Sequence, residues 1–313
     1  MLTIPEAVAA NADAAAHKVA LLRTPGLLLV RTMLAGAAIG IGVLIMVTAG
    51  GPLAVAGSPW APLVDGVVFS VALVVVLVAG GELATSAMMV LTQGALLRRV
   101  GWGRAGVTLV AYLGGNLLGA MVFAALVHAS GVAGPGTAAG EALAGVVAHK
   151  AGATTPELVV RGVLCNVMVC LAVWCWGRLG PGAAGLAVVV GCVMVFITSG
   201  FEHVVANMTT FSLALYGDLP HATLAEAARN LLAVGVGNTV GGALLVGAAY
   251  AYGARPVDAG VGDAGTGDGA AVPATVGATA APATPGAPAP ARALASVPRP
   301  VAARARRGDG VRR

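Results

Sequence analysis

From Leu179 to Gly217 the chain runs for 39 residues in which Glu202 is the one acidic and His203 the one basic side chain. As a single helix at about 1.5 Å per residue this stretch would extend roughly 58 Å, against a hydrocarbon core of about 30 Å. It has to break. The segment Thr198-Ser199-Gly200-Phe201-Glu202-His203-Val204-Val205-Ala206-Asn207 supplies small residues, a glycine and polar side chains able to bond freed backbone groups. Irregular backbone at membrane depth persists only when it is buried in protein or lines a wet cavity. Ionisable groups there face a bundle interior or a transport pathway, so Glu202 and His203 are the first candidates for function.

Composition supports the membrane setting. The chain is 58% hydrophobic and 10% charged, where soluble domains carry about 25% charged residues, and its mean hydropathy is +0.89. Its 46 glycines suit helices that pack closely in lipid. Aromatic residues make up 4% of the chain, too few for the stacking platforms of a nucleic-acid binder. The high pI, near 9.4, owes much to arginines in the last 25 residues, a basic tail of the kind found beside membranes. Residues 1–22 carry Glu6, Asp13, His17 and Lys18 among alanines, which reads as an amphipathic helix on the cytoplasmic face and not as a cleavable signal.

Six apolar segments emerge with a window of about 19 residues: 30–50, 64–97, 105–128, 158–177, 182–216 and 230–252. The second and fifth are overlong, and each has a Glu near its middle, Glu82 and Glu202, so helices 2 and 5 are expected to be interrupted. Basic residues cluster at Lys18 and Arg23, at Arg98, Arg99 and Arg104, at Arg178 and at Arg255. Those loops belong inside, with both termini cytoplasmic in the cell inner membrane. The expected organisation is a cytoplasmic helix at 1–25, a six-span domain at 26–253, and a disordered Ala/Pro/Gly-rich tail at 254–313, whose terminal arginines could bind anionic lipid or a cytosolic partner.

The third span contains Gly115-Asn116-Leu117-Leu118-Gly119-Ala120 and the sixth Gly237-Asn238-Thr239-Val240-Gly241-Gly242, 122 residues apart; Glu82 and Glu202 are 120 apart. A repeat of three spans is implied. Since three is odd, the second copy must run upside down, an arrangement that places a binding or permeation site near the midplane. The fold class is therefore an all-α integral membrane bundle, and a channel or transporter is the leading reading. Cys165, Cys170 and Cys175 step by five residues, so they do not share one helix face as metal ligands would, and they read as small packing residues.

The blocks Gly81-Glu82-Leu83-Ala84-Thr85-Ser86, 164–174, Gly200-Phe201-Glu202-His203 with Val205-Ala206-Asn207-Met208, and Gly237-Asn238-Thr239-Val240-Gly241-Gly242 resemble the signature blocks of the formate/nitrite transporter family, in the correct order over about residues 5–252. The resemblance implies an aquaporin-like protomer, a homopentamer with one pore per protomer, and passage of small monovalent anions such as formate, nitrite, hydrosulfide or lactate; no cofactor or metal is expected. It places the pore histidine on His203 and the threonine of the interrupted second helix on Thr85. Glu202 and Asn207 match residues that shape the breaks. Asn166 matches the polar residue beside the histidine, and Lys150 the basic residue of the outer vestibule. Apolar constrictions fall on Phe69, Leu73, Leu83, Val169 and Phe196. Ala84 departs from the family's frequent Phe, which leaves the inner constriction either wider or closed by a neighbour.

A desolvated anion crossing an apolar slit meets a large Born penalty that the neutral acid largely escapes. The expectation is that Lys150 attracts the anion, that Thr85 and His203 bond it between the slits, and that a proton then neutralises it. Blander readings stand beside this one: a packed core histidine, a merely solvated Lys150 in a loop, glutamates that bond backbone N–H groups freed at the breaks, and Asn116 and Asn238 serving helix packing. An aquaporin-type channel for neutral solutes would call for Asn-Pro-Ala turns, and the chain has no Asn-Pro dipeptide. A membrane metalloenzyme wants three or more ligands, and beyond Glu202 and His203 the other span interiors offer only Glu82. The chain is thus not expected to be an enzyme.

Overall fold

The computed structural model describes residues 1–256. The tail expected at 254–313, with its terminal arginines, lies from residue 257 onward outside the described residues. Among the described residues the regular structure is helical throughout: α1 (Ile4–Ala20), α2 (Pro25–Ile45), α3 (Gly51–Val55), α4 (Ala61–Ala79), α5 (Ala84–Leu96), α6 (Trp102–Ser130), α7 (Ala138–Gly152), α8 (Thr155–Leu179), α9 (Ala183–Thr198), α10 (Val204–Tyr216), α11 (Leu224–Thr239) and α12 (Ala249–Gly253). A π-helical turn at Met46–Gly50 joins α2 to α3, and a longer one at Val240–Ala248 joins α11 to α12.

Five continuous helical runs are long and apolar enough to cross a membrane: Pro25–Val55, Ala61–Ala79, Trp102–Ser130, Thr155–Leu179 and Leu224–Gly253. Both overlong segments break where expected. The first halts at Gly80, whose φ of 78° is left-handed, and restarts after an extended Leu83. The second halts at Ser199 and restarts after an extended His203.

α1 starts with a capping box in which the Thr3 hydroxyl accepts from the Glu6 N–H and the Glu6 carboxylate accepts from the Thr3 N–H. Its buried face is built of Ala7, Val8, Ala12 and Ala15, small enough to let it lie closely on α5. The first span differs from the expected 30–50. It starts at Pro25, where proline is preset for a helix N-terminus, and the π turn carries it on to Val55.

An element unseen in the sequence is α7, which fills the connection before α8. The Thr137 hydroxyl caps it by accepting from the Gly140 N–H at 3.0 Å. Its alanines favour helix but carry too little hydrophobic contrast to stand out from a loop between spans.

α2 packs along α6, and α8 along α11. Glycine permits both approaches: a Cβ on Gly119 would lie 2.0 Å from the Met33 carbonyl oxygen, and one on Gly241 2.3 Å from that of Val163. These are corresponding positions of the repeated Gly-Asn motif. Small residues that let backbones meet are the usual glue between helices in lipid. α5 and α10, the halves that follow the breaks, are the most deeply buried helices of the bundle.

Candidate functional site

Each break is held by one asparagine, and the two frames match bond for bond. At the first, the Ala84 N–H donates to Asn116 Oδ1 at 2.9 Å, while Asn116 Nδ2 donates to the carbonyls of Thr32 at 2.8 Å and Glu82 at 2.9 Å. At the second, the Val204 N–H donates to Asn238 Oδ1 at 2.8 Å, and Asn238 Nδ2 to the carbonyls of Gly162 at 2.8 Å and Glu202 at 2.9 Å. The peptide N–H groups of Glu82 and Glu202 donate to the carbonyls of Arg31 and Arg161. Backbone groups freed by a helix break must find partners. Asn116 and Asn238 therefore do more than pack helices.

The glutamate side chains do something other than cap the breaks. Glu202 Oε2 accepts from Lys150 Nζ at 2.7 Å and from Asn207 Nδ2 at 2.6 Å. Glu82 accepts from Lys18 Nζ at 2.5 Å, so α1 supplies to the first break the cation that α7 supplies to the second. Lys150 is thus neither in a loop nor merely solvated; it stands in the last turn of α7 and is 13% exposed. Asn207 continues the chain of bonds to Asn230 Oδ1 at 2.7 Å. Sequence reasoning used Lys18 only to orient the chain and gave it no part at the break; it stands 132 residues before Lys150, against repeat offsets of 120 and 122, so spacing alone did not pair the two.

His203 is the N-cap residue of α10. Its Nδ1 accepts the Ala206 N–H at 3.1 Å, and its Nε2 lies 3.0 Å from Thr85 Oγ1, at the N-terminus of α5. A backbone N–H can only donate. The bond network therefore assigns the neutral imidazole its hydrogen on Nε2, aimed at Thr85. With the ring hydrogen accepted by Oγ1, the Thr85 hydroxyl keeps its own hydrogen to give. Two helix N-termini, each carrying about half a positive charge, converge on this pair.

The remaining candidates surround it. The Phe196 ring stacks on the imidazole with centroids 6.1 Å apart, and the Phe69 ring meets Phe196 edge-on at 6.1 Å. Leu73, Leu83 and Val169 are buried. Asn166 does not bond the histidine; its Nδ2 donates to the carbonyls of Thr85 at 3.1 Å and Asn238 at 2.7 Å, tying α8 to both breaks. Ala84 has no exposed surface, so neighbours fill the space a larger side chain would take.

A cavity of about 480 Å³ reaches His203 from the side of α7, with Lys150, Phe201, Glu202, Asn207 and Phe69 in its wall. Thr85, immediately beyond the imidazole, is wholly buried, so the passage is closed there. Among the described residues no three His, Cys, Asp or Glu side chains gather as metal ligands.

The described helices have close relatives of known kind. The model of the formate/nitrite transporter family matches residues 5–252. The nitrite transporter NirC of Escherichia coli K12 is 37% identical over 224 residues, 71% of this chain and 82% of that protein. The formate channel FocA of the same strain is 35% identical over 213 residues, 61% of this chain and 73% of its own length. A solved FNT family ion channel superposes with a TM-score of 0.75 at 35% identity, covering 80% of this chain and 99% of that one. A pentameric formate channel with formate bound shares the fold at a TM-score of 0.63 and 24% identity. With its repeated asparagine frames, its interrupted helices and a family match over nearly the whole described length, the chain belongs to the formate/nitrite transporter family.

Proposed function

We propose that the protein carries small monovalent weak-acid anions, formate and nitrite first among them, across the cell inner membrane. The reading takes residues 26–253 as six spans in two inverted three-helix repeats with an aquaporin-like course, assembled as a homopentamer with cytoplasmic termini. It takes residues 1–25 as an amphipathic helix on the cytoplasmic face. The matched frames of Asn116 and Asn238, and the paired cations Lys18 and Lys150, support the repeat.

One observation carries the mechanism: the Thr85–His203 contact lies where the cavity ends, between two helix N-termini and behind the Phe69 and Phe196 rings. An anion entering past Lys150 loses water at the rings. It then displaces the imidazole–hydroxyl contact and receives one hydrogen bond from Nε2–H and one from Thr85 O–H. Charge-assisted bonds of this kind are about twice as strong as neutral ones. Giving up its single ring hydrogen would leave the neutral imidazole an imidazolate. The proton that converts the anion into its neutral acid therefore comes from hydronium reaching the site through the vestibule, which is left as water, and His203 acts as hydrogen-bond donor. The neutral acid then crosses the inner slit of Leu73, Leu83 and Val169. Hydrosulfide and lactate satisfy the same chemistry.

Purified protein in liposomes tests this reading. The expected result is uptake of formate and nitrite at least tenfold above protein-free vesicles, sustained when glycerol is in excess. Uptake of glycerol or water with no anion uptake would favour a neutral-solute channel instead.

A further inference from the structure

Lys150 rides on a helix with a weak end. α7 has no left-handed glycine to close it: Ala153 runs on in extended conformation with ψ of 140°, and its N–H reaches back to the Lys150 carbonyl only at 3.4 Å. The last carbonyls of a helix need partners from outside it. α7 lies on α3 and the π-helical turn of the first span and meets α11 at few points. Arg161, the second cation that acts on Glu202, belongs instead to the long α8, and its own carbonyl accepts the Glu202 N–H. Of the two cations, Lys150 is the one that needs a tether.

Arg229 of α11 supplies it. Its Nη1 donates to the Ala153 carbonyl at 3.0 Å and to Thr155 Oγ1 at 3.3 Å, and its Nη2 to the Ala151 carbonyl at 3.2 Å. Glu226 aims the same guanidinium by accepting from Nε at 2.9 Å and from Nη2 at 2.7 Å. Such a fork fixes direction as well as charge, and a cation suits the negative end of a helix. The next residue, Asn230, accepts from the Asn207 amide that also donates to Glu202. Two consecutive residues of α11 thus grip the Lys150–Glu202 pair from both sides, one through the end of α7 and one through Asn207. Neither Arg229 nor Glu226 is in the cavity wall. The first repeat has no such clasp: 122 residues earlier, in the register of Asn116 and Asn238, stand Arg104 and Val107.

We propose that Arg229 is a positioning residue for transport, which holds the C-terminal turn of α7 and thereby keeps Lys150 in the cavity wall against Glu202. This inference rests on the transport reading above for the anion's route past Lys150. Without the clasp the last turn of α7 frays, and the ammonium exchanges its buried partner for water. The entering anion then meets a Glu202 carboxylate that is less fully balanced. Its binding weakens, while the passage beyond Lys150 is unchanged.

Lys18 and Lys150 are the only lysines of the chain, so one serves as reference for the other. The detergent-solubilised full chain, as wild type, Arg229→Gln and Glu226→Gln, is acetylated briefly with acetic anhydride, and mass spectrometry compares modification at the two lysines. Arg229→Gln should raise the ratio of Lys150 to Lys18 about fivefold, the scale of one hydrogen bond. Glu226→Gln keeps the guanidinium and the carbonyls and should raise it about twofold, as for a partly exposed ion pair; it serves where Arg229→Gln does not assemble. In liposomes either variant should raise the half-saturating formate concentration, Arg229→Gln by about threefold, with the maximal rate per assembled protein unchanged, the mark of lost binding and not of lost protein. A ratio unmoved in both variants, whether from no change or from an equal rise at Lys18, would overturn the proposal. So would a lower maximal rate with an unmoved half-saturating concentration, which would leave Arg229 a role in folding alone. Wild-type protein that passes no anion, with the ratio shifted in the variants, would overturn the transport reading and leave the clasp in place.

Discussion

Lys150→Met should leave a protein that unfolds far more easily than the wild type. Glu202 is 2% exposed, and its carboxylate has Lys150 and Asn207 as partners. Removing the lysine strands a buried negative charge, a loss of about 3–5 kcal/mol in comparable pairs, against total stabilities of about 5–15 kcal/mol. Replacing both partners by neutral groups avoids this. In Lys150→Met/Glu202→Gln the amide can still meet Asn207, so most of the stability should return. Thermal unfolding of the detergent-solubilised protein, followed by loss of the assembled peak in size exclusion, measures both. A single variant as stable as the wild type would mean that water screens the pair.

Asn238→Ala should be comparably damaging by a different route. Asn238 is fully buried, and its amide meets three backbone groups: the Val204 N–H and the carbonyls of Gly162 and Glu202. Each buried group left without a partner costs about 1–3 kcal/mol. The N–H is the most demanding, because a lone donor has no second way to be satisfied. With the frame gone, the turn that presents His203 to Thr85 loses its fixed shape, and anion uptake should fall at least tenfold in whatever protein still assembles. Asn116→Ala removes the same three bonds at the first break and should cost a similar amount. Stability and uptake of the two variants side by side check the duplication. A large loss in one and none in the other would show that the breaks are not equivalent.

What the sequence revealed and what it hid have different physical origins. Glu82 and Glu202 marked the breaks because a charge in the middle of an overlong apolar run has few explanations. The cap on each break was harder to identify. Asn116 and Asn238 stand between glycines on other helices, and the geometry that carries their amides to residues 82–84 and 202–204 depends on close helix approach, which no local pattern encodes. Glutamate offered itself for that task, yet its charge is taken by a lysine brought from a separate helix.

α7 was invisible because alanine and glycine give no amphipathic signal, and with it went the true place of Lys150. Family resemblance placed Thr85 and His203 each in the pore; their direct contact across 118 residues, its atoms and the tautomer were not legible.

Uptake of formate and nitrite into liposomes by wild type and His203→Asn, followed from about pH 5 to about pH 8, the range in which weak-acid supply and histidine charge both change, bears most directly on the account. The variant keeps a polar side chain at the N-cap but loses the Nε2–H aimed at Thr85. The expected result is an assembled protein whose uptake falls at least tenfold and whose dependence on pH differs from that of the wild type. Uptake equal to the wild type at every pH would show that the imidazole takes no part in carrying the anion across.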